Sequence, residues 1–387
     1  MGTEGDIDRL RLAILADPSL HPRLGAITDA AIFAAEAAML APGVTPEMLM
    51  PALKPDLAGL ERWTPKPLTP GRPPPGWLPI QVTRGAHFPV EWAWFGDRPL
   101  GGPFFENAIR DALMRPMNRF CRFNTPLADL PAVAQALPVL PPSGFIFHMS
   151  RCGSTLASRM IAADPAHLVL SEPAPFDTLL QLDWMATVPE DLHIALLRAM
   201  LGVLGQRSAG ATKLFVKLDS WHTRRLPLLA RAFPDVPWVF LYREPLEVLA
   251  SQMEERGMQT LPHYLPPGAY GLSRDDALLA DDEYCARVLS RTCAAVLDQG
   301  GPGLLVHYRE LPEAAWSRIL PHFGVTPSAG QIATMRAATI GDAKAPAAPF
   351  SPQEAKRTLM TDALAGIAER QIGAIYAALE ARRSGQS

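Results

Sequence analysis

The sequence predicts an α/β fold in which helices cover both faces of a parallel sheet in three layers, preceded by a mainly helical N-terminal region. From residue 137 onward, short apolar runs alternate with longer amphipathic segments, which is the rhythm of β-α-β units. Before residue 65, apolar residues recur at helical spacing instead. The 387 residues are 48% hydrophobic and 19% charged, which is typical of a folded globular protein.

Two domains are expected, with a boundary near residue 135. Residues 1–135 form an accessory region that contains a Pro-rich extended connector at about 65–80. An aromatic-rich segment, 88–95, is predicted as a strand or turn; it carries no chemical motif, and both a packing role and substrate recognition stay open. Residues 136–387 form the α/β domain and its C-terminal helices. The N-terminal helices are predicted at Asp6–Ala16, Thr28–Leu40 and Pro46–Leu53.

In the α/β domain, strands are predicted at Gly144–His148, His167–Leu170, Leu214–Leu218, Trp238–Tyr242 and Leu304–His307. The helices are predicted at Ser154–Ala163, Asp191–Gly205, Thr223–Ala232, Leu246–Arg256, Asp281–Asp298, Pro312–Phe323 and within Gln353–Arg383. Ligands of such sheets bind outside the carboxyl ends of the strands. Residues that follow strand ends should therefore converge on one crevice: Arg151, Glu172, Asp219 and Arg243.

The first strand runs into a turn of small residues, Ser150 to Thr155, and then into a helix. The free N–H groups and the positive dipole end of that helix make such a turn an anion cradle. Aligned on Thr155, the Walker A pattern has Gly153 in place but Ser154 where its Lys belongs. The sequence therefore predicts a P-loop-type fold without an ATPase signature.

A second strand-turn-helix segment begins at Trp238. Arg243 ends the strand, Pro245 occupies the first helical turn, and Ser251 lies eight residues after Arg243. A guanidinium fork and a hydroxyl can together bind a phosphate dianion.

Together these motifs resemble those of the sulfotransferase family, which transfers a sulfuryl group from 3′-phosphoadenosine 5′-phosphosulfate (PAPS). His148–Leu156 resembles the family's 5′-phosphosulfate loop, in the form found in carbohydrate-type and bacterial members. Arg243, Pro245 and Ser251 resemble its 3′-phosphate motif. The resemblance covers roughly residues 140 to 345, and it implies PAPS as co-substrate without a metal.

The resemblance also implies roles for single residues, in a reaction that depends on positioning and electrostatics. Arg151 would stabilise charge on the bridging oxygen. A final strand followed by Tyr308 and Glu310 also resembles the family and is interpreted as structural. The cofactor-binding residues implied are Arg151, Cys152, Gly153, Ser154, Thr155, Lys217, Arg243, Ser251 and, in place of a nucleotide-covering loop, Lys344.

A general base must take the acceptor's proton. Glu172 is the first candidate, since similar sulfotransferases place a Glu there; capping of the following helix is the alternative. Asp219 and His222 are the next candidates. Lys217 could reach the sulfuryl group or form a structural ion pair with Asp219.

Two other functions stay open. A P-loop kinase or nucleotide hydrolase would need the missing loop Lys and a metal-binding Asp. A non-catalytic partner protein with this fold would not need Arg151, Arg243 and Ser251 together.

The charge, the cysteine content and the apolar segments together predict a cytoplasmic protein. A net charge of −3 does not favour nucleic acid, although seven Lys and Arg lie between Arg207 and Arg243. The acidic N-terminus is no secretory signal, no segment predicts a membrane span, and four sparse cysteines indicate reduced thiols. The expected partner is a small-molecule or glycan acceptor, with a homodimer as an option.

Overall fold

The chain, described here from a computed structural model, forms two compact units. The first comprises residues 1–141 and 173–209, and the second comprises residues 142–172 and 210–387. The structure describes residues 4–53, 66–67, 73–85, 87–96, 100, 104–206, 210–299, 301, 303–340 and 359–386. The domain boundary near residue 135 stays a prediction.

The strands are β1 Lys66–Pro67, β2 Trp77–Val82, β3 Val90–Trp94, β4 Phe123–Thr125, β5 Pro142–His148, β6 His167–Ser171, β7 Lys213–Lys217, β8 Trp238–Tyr242 and β9 Leu304–His307. The five strands predicted in the α/β domain are confirmed to within two residues at each end.

The helices before residue 210 are α1 Glu4–Ala16, α2 His21–Ala26, α3 Ala30–Ala38, α4 Pro46–Leu53, α5 Phe105–Leu113, α6 Pro116–Phe120, α7 Leu130–Gln135, α8 Ser154–Ala162, α9 Ala174–Leu180, α10 Leu182–Met185 and α11 Glu190–Leu204. The later helices are α12 Leu226–Ala232, α13 Pro245–Glu254, α14 Asp281–Gln299, α15 Leu320–His322, α16 Ala329–Ala337, α17 Asp362–Ala368 and α18 Ala374–Ser384. A 3₁₀ segment, Ser220–Arg225, precedes α12, and π-helical turns precede α15 and α18.

The first unit contains the predicted N-terminal helices and also a four-stranded sheet in the order β1-β4-β3-β2. β3 pairs antiparallel with β2 and β4, whereas β1 runs parallel to β4. Its centre is aromatic: the Phe123 ring packs 5.0 Å from Trp77 and 6.3 Å from Trp92, measured between centroids. The Trp92 indole donates to Thr125 Oγ1 at 3.0 Å, which satisfies its polar atom in the core. The predicted strand at 88–95 is thus β3 of this sheet.

The second unit is built on a parallel five-stranded sheet in the order β6-β7-β5-β8-β9. This confirms the α/β fold. Because all four pairings are parallel, the carboxyl ends of the strands lie along one edge of the sheet. The register places Ser171 beside Lys217, and His148 beside Leu241. β5 lies at the centre, so the turn that follows it is flanked by the ends of β7 and β8.

The C-terminal helix α18 is joined to the carboxyl ends of the strands by a partly buried polar network. The Tyr242 hydroxyl donates to Glu380, and Arg383 Nε donates to that hydroxyl at 3.0 Å. Burial and the neighbouring carboxylate raise the pKa of Tyr242, so the phenol stays protonated. The network fixes the strand end immediately before Arg243.

All four cysteines are buried and free. Among the described residues, no helix combines the length and apolar character needed to cross a membrane.

Candidate active site

The turn between β5 and α8 has the backbone conformation of an anion cradle. Ser150, Arg151 and Gly153 have φ angles of 75°, 50° and 84°. Left-handed residues in close succession turn their N–H groups to one side, and the nine-residue helix α8 adds its positive end. Since Ser150 and Arg151 carry a Cβ, each conformation costs about 1–3 kcal/mol, which surrounding contacts must offset.

The Cys152, Ser154 and Thr155 side chains of this turn are all buried, but they differ in whether their polar atoms already have a partner. The Cys152 thiol donates to the Leu241 carbonyl oxygen at 3.1 Å, and burial raises its pKa to about 12. Cys152 therefore offers a ligand its backbone N–H and no thiolate. The Ser154 and Thr155 hydroxyls make no hydrogen bond to any residue that the structure describes, so both are available to a phosphate.

Arg151 reaches the end of α13, where Ser251 lies. Its Nη2 donates to the carbonyl oxygen and to Oε2 of Glu255, both at 2.6 Å, and lies 3.5 Å from the carbonyl oxygen of Ser251. The Arg151 side chain is 13% exposed, and its buried Nε–H has no acceptor among the described residues. The structure thus brings together Arg151 and Ser251, which the sequence predicted to bind the same ligand.

Arg243 and Gly153 meet at the ring of Tyr308. The Arg243 guanidinium carbon lies 4.3 Å from the ring centroid, a cation–π contact, and its Nε donates to Glu247. A Cβ built on Gly153 would lie 2.8 Å from Tyr308 Cδ2, so only glycine permits this approach. One aromatic ring therefore joins the two predicted phosphate motifs.

Glu172, the first candidate base, is held in an ion pair at the ends of β6 and β7. The Lys217 ammonium, 1% exposed, donates to Glu172 Oε1, and His148 Nε2 lies 3.5 Å from the same oxygen. Burial alone would raise the pKa of Glu172, but the Lys217 ammonium, helped by the nearby His148 side chain, holds it well below its usual range. Glu172 is therefore ionised in this arrangement.

The backbone of Glu172 is fixed as firmly as its side chain. Its φ is 54°, and its N–H donates to the Lys217 carbonyl oxygen at 2.7 Å. Lys217, for which the sequence suggested a structural ion pair with Asp219, forms an ion pair with Glu172. The His148 imidazole accepts from Ser150 N–H at its Nδ1, at 3.0 Å, so it connects this ion pair to the phosphate loop.

Asp219 and His222, the other candidate bases, cap the segment Ser220–Arg225. The Asp219 carboxylate accepts from the His222 N–H, and His222 Nδ1 accepts from the Asp219 N–H at 3.1 Å. Because Nδ1 is an acceptor, the neutral ring carries its proton on Nε2, where it is a donor. This capping box gives both residues a structural task that the sequence analysis did not predict.

The sequence analysis missed the contribution of two residues, and a third candidate lies outside the described residues. Tyr308 was interpreted as structural, although its place directly after the end of β9 is the same signal that marks Arg151, Glu172 and Arg243. His148 was predicted only as the end of a strand and the start of the loop, with no contact of its own. Lys344 lies outside the described residues, so its role stays a prediction.

No family model and no curated protein sequence matches the chain. Several solved structures of bacterial sulfotransferases are similar to it. The sulfotransferase STF9 of Mycobacterium avium is 16% identical, with 60% of this chain and 78% of that chain covered and a TM-score of 0.36. The sulfotransferase of Alicyclobacillus acidocaldarius is 14% identical, with coverages of 62% and 100% and a TM-score of 0.34. STF1 of Mycobacterium tuberculosis is 18% identical, with coverages of 60% and 79% and a TM-score of 0.34. At these TM-scores the likeness carries no argument about chemistry, which rests on the site itself.

Proposed function

We propose that this chain is a sulfotransferase that moves a sulfuryl group from PAPS to a hydroxyl or amine acceptor. The observation that carries the proposal is the meeting of two phosphate-type motifs, since the Tyr308 ring contacts both Gly153 and Arg243. Two neighbouring phosphate motifs would suit a nucleotide that carries one phosphate at its 5′ position and another at its 3′ position.

The phosphate loop would hold the 5′-phosphosulfate. The N–H groups from Cys152 to Thr155 and the two available hydroxyls donate to the 5′-phosphate, and the start of α8 favours its negative charge. Arg151 Nε–H, which lacks an acceptor among the described residues, donates to the bridging oxygen as charge develops there. Arg243 and Ser251 hold the 3′-phosphate.

Glu172 would take the proton of the acceptor, and the position of the Lys217 ammonium would control the proton affinity of Glu172. A carboxylate whose pKa is held low is a weak base. When the Lys217 ammonium turns from Glu172 to the sulfuryl oxygens, the carboxylate loses its counter-charge in a buried site, and its proton affinity rises. The same movement places a positive charge where the transferring group needs it.

The proposal is tested with PAPS labelled in its sulfuryl group. Incubated with the chain and a cell extract, it should label at least one acceptor, which mass spectrometry identifies by a gain of SO₃. Arg151→Ala should abolish the labelling. Binding of adenosine 3′,5′-bisphosphate without magnesium is expected as well; labelling or binding of ATP that requires magnesium would instead support a kinase or hydrolase.

A further inference from the structure

The Ser150 hydroxyl is the acceptor for two buried amides. Gln252 Nε2 donates to Ser150 Oγ at 3.1 Å, and Gln259 Nε2 donates to the same atom at 2.7 Å. All three residues are buried. A hydroxyl oxygen has two lone pairs, so both are used here.

The two amides restrain Ser150, whose backbone conformation is unfavourable for a residue that carries a Cβ. Ser150 has a left-handed φ of 75° and is followed by a second left-handed residue, Arg151. His148 fixes the N–H of Ser150, and the two amides fix its side chain. The N–H groups of the phosphate loop are thereby oriented before any ligand arrives, which is what preorganised anion binding requires.

The other end of the Gln252 side chain is fixed as well. Its Oε1 accepts from the N–H of Gly257 at 2.8 Å, in the segment that follows α13. Gln252 directly follows Ser251 on α13. One helical turn therefore carries the hydroxyl proposed for the 3′-phosphate and the amide that holds the loop proposed for the 5′-phosphate.

We propose that Gln252, assisted by Gln259, is a positioning residue that couples the two phosphate sites through the Ser150 hydroxyl. The inference rests on the proposed function, since it concerns the same nucleotide. A 3′-phosphate bound at Ser251 adds a further restraint to the turn that carries the Gln252 amide, and so to the loop that receives the 5′-phosphate. Neither glutamine touches the nucleotide.

The test is a double-mutant cycle read by calorimetric titration with adenosine 3′,5′-bisphosphate. Gln252→Met keeps the length of the side chain and removes its hydrogen bonds. Ser150→Gly removes the hydroxyl and suits the left-handed φ. Gln252→Met should weaken binding about tenfold in the wild type and less than about twofold in the Ser150→Gly background, because the effect passes through Ser150. Equal losses in both backgrounds, or none in the wild type, would overturn the proposal.

A second measurement tests the coupling itself. In the wild type, the bisphosphate should bind more tightly than adenosine 5′-monophosphate, and Gln252→Met should reduce this gain; an unchanged gain contradicts the coupling. Gln259→Met, which removes the other donor, should show the same dependence on Ser150 and serves if Gln252→Met does not fold.

Asn118→Leu is the matched control. Asn118 is a buried amide with three hydrogen bonds in the first unit, so its loss should lower the melting temperature without weakening nucleotide binding. A wild-type chain that binds neither nucleotide overturns the proposed function and this inference together. A wild type that binds, with additive variants, overturns the inference alone.

Discussion

The Lys217 ammonium donates to Oε1 of Glu172, and only 1% of the Lys217 side chain is exposed to solvent. A cation so deeply buried depends on the Glu172 carboxylate that it contacts, because water cannot reach it to replace a lost partner. The proposed function gives the same pair a role as base and as cation. If that proposal holds, stability and chemistry are linked at these two residues.

Removing one partner of the Glu172–Lys217 pair should lower the stability of the fold more than removing both partners. Glu172→Gln removes the carboxylate that the buried Lys217 ammonium contacts, and we expect a loss of about 3–5 kcal/mol in the free energy of unfolding. Adding Lys217→Met should restore most of that loss while transfer stays abolished. Urea denaturation measures the first effect and labelled PAPS the second. A single variant as stable as the wild type would show that the pair does not stabilise the fold.

The low pKa of Glu172 predicts how stability depends on pH. The folded carboxyl binds a proton less readily than the unfolded one, whose pKa is about 4.3. Its stabilising contribution is therefore complete above that value and is lost as pH falls through the lower, folded pKa. Between pH 5 and pH 3, the wild type should lose more stability than the Glu172→Gln/Lys217→Met variant, measured by urea denaturation at each pH. Parallel pH profiles would contradict the shift.

Position 153 is predicted to require glycine for two reasons: its left-handed backbone conformation and the lack of room for a Cβ. Gly153→Ala would be strained at φ 84° and would place a Cβ 2.8 Å from Tyr308. Gly324 has a similar φ of 71° with nothing within 4 Å of a Cβ, so Gly324→Ala isolates the cost of the backbone. We expect about 1 kcal/mol for Gly324→Ala and a larger loss for Gly153→Ala, which alone should weaken nucleotide binding. Equal effects of the two variants on both stability and binding would remove Tyr308 from the site.

The five strands of the parallel sheet and the two strand-turn-helix segments were predictable because each is encoded by consecutive residues. An apolar run followed by Gly153 and a helix, or by Arg243 and Pro245, needs no distant partner to be recognised. The sheet of the first unit was not predicted as a whole, since strands as short as Phe123–Thr125 are defined by the strands beside them.

The finer features of the site depend on side-chain contacts that form only in the folded chain. Asp219 and His222 read as candidate bases in the sequence, yet their mutual capping is visible only once the chain turns after β7. Gln252 lies in an ordinary helical segment, and only folding brings its amide to Ser150, over a hundred residues earlier. Local patterns thus identified the elements of the site but not the contacts that hold them.

Glu255 is predicted to compete with phosphate for Arg151. Its carboxylate is 77% exposed and pairs with Arg151 Nη2 at 2.6 Å. Glu255→Gln removes that competing charge, so affinity for adenosine 3′,5′-bisphosphate should rise about two- to fivefold at low salt, with a smaller gain at high salt. Asp281→Asn is the control, since Asp281 is 70% exposed and pairs with Arg256 at 2.6 Å. A gain equal to that of the control would mean that only overall charge matters.

The most direct test of the account is a crystal structure of the chain with adenosine 3′,5′-bisphosphate. We expect the 5′-phosphate to accept hydrogen bonds from the N–H groups between Cys152 and Thr155, and the 3′-phosphate to lie within hydrogen-bonding distance of Arg243 and Ser251. A bisphosphate bound with its 3′-phosphate away from Arg243 and Ser251, or bound outside this crevice altogether, would contradict the account.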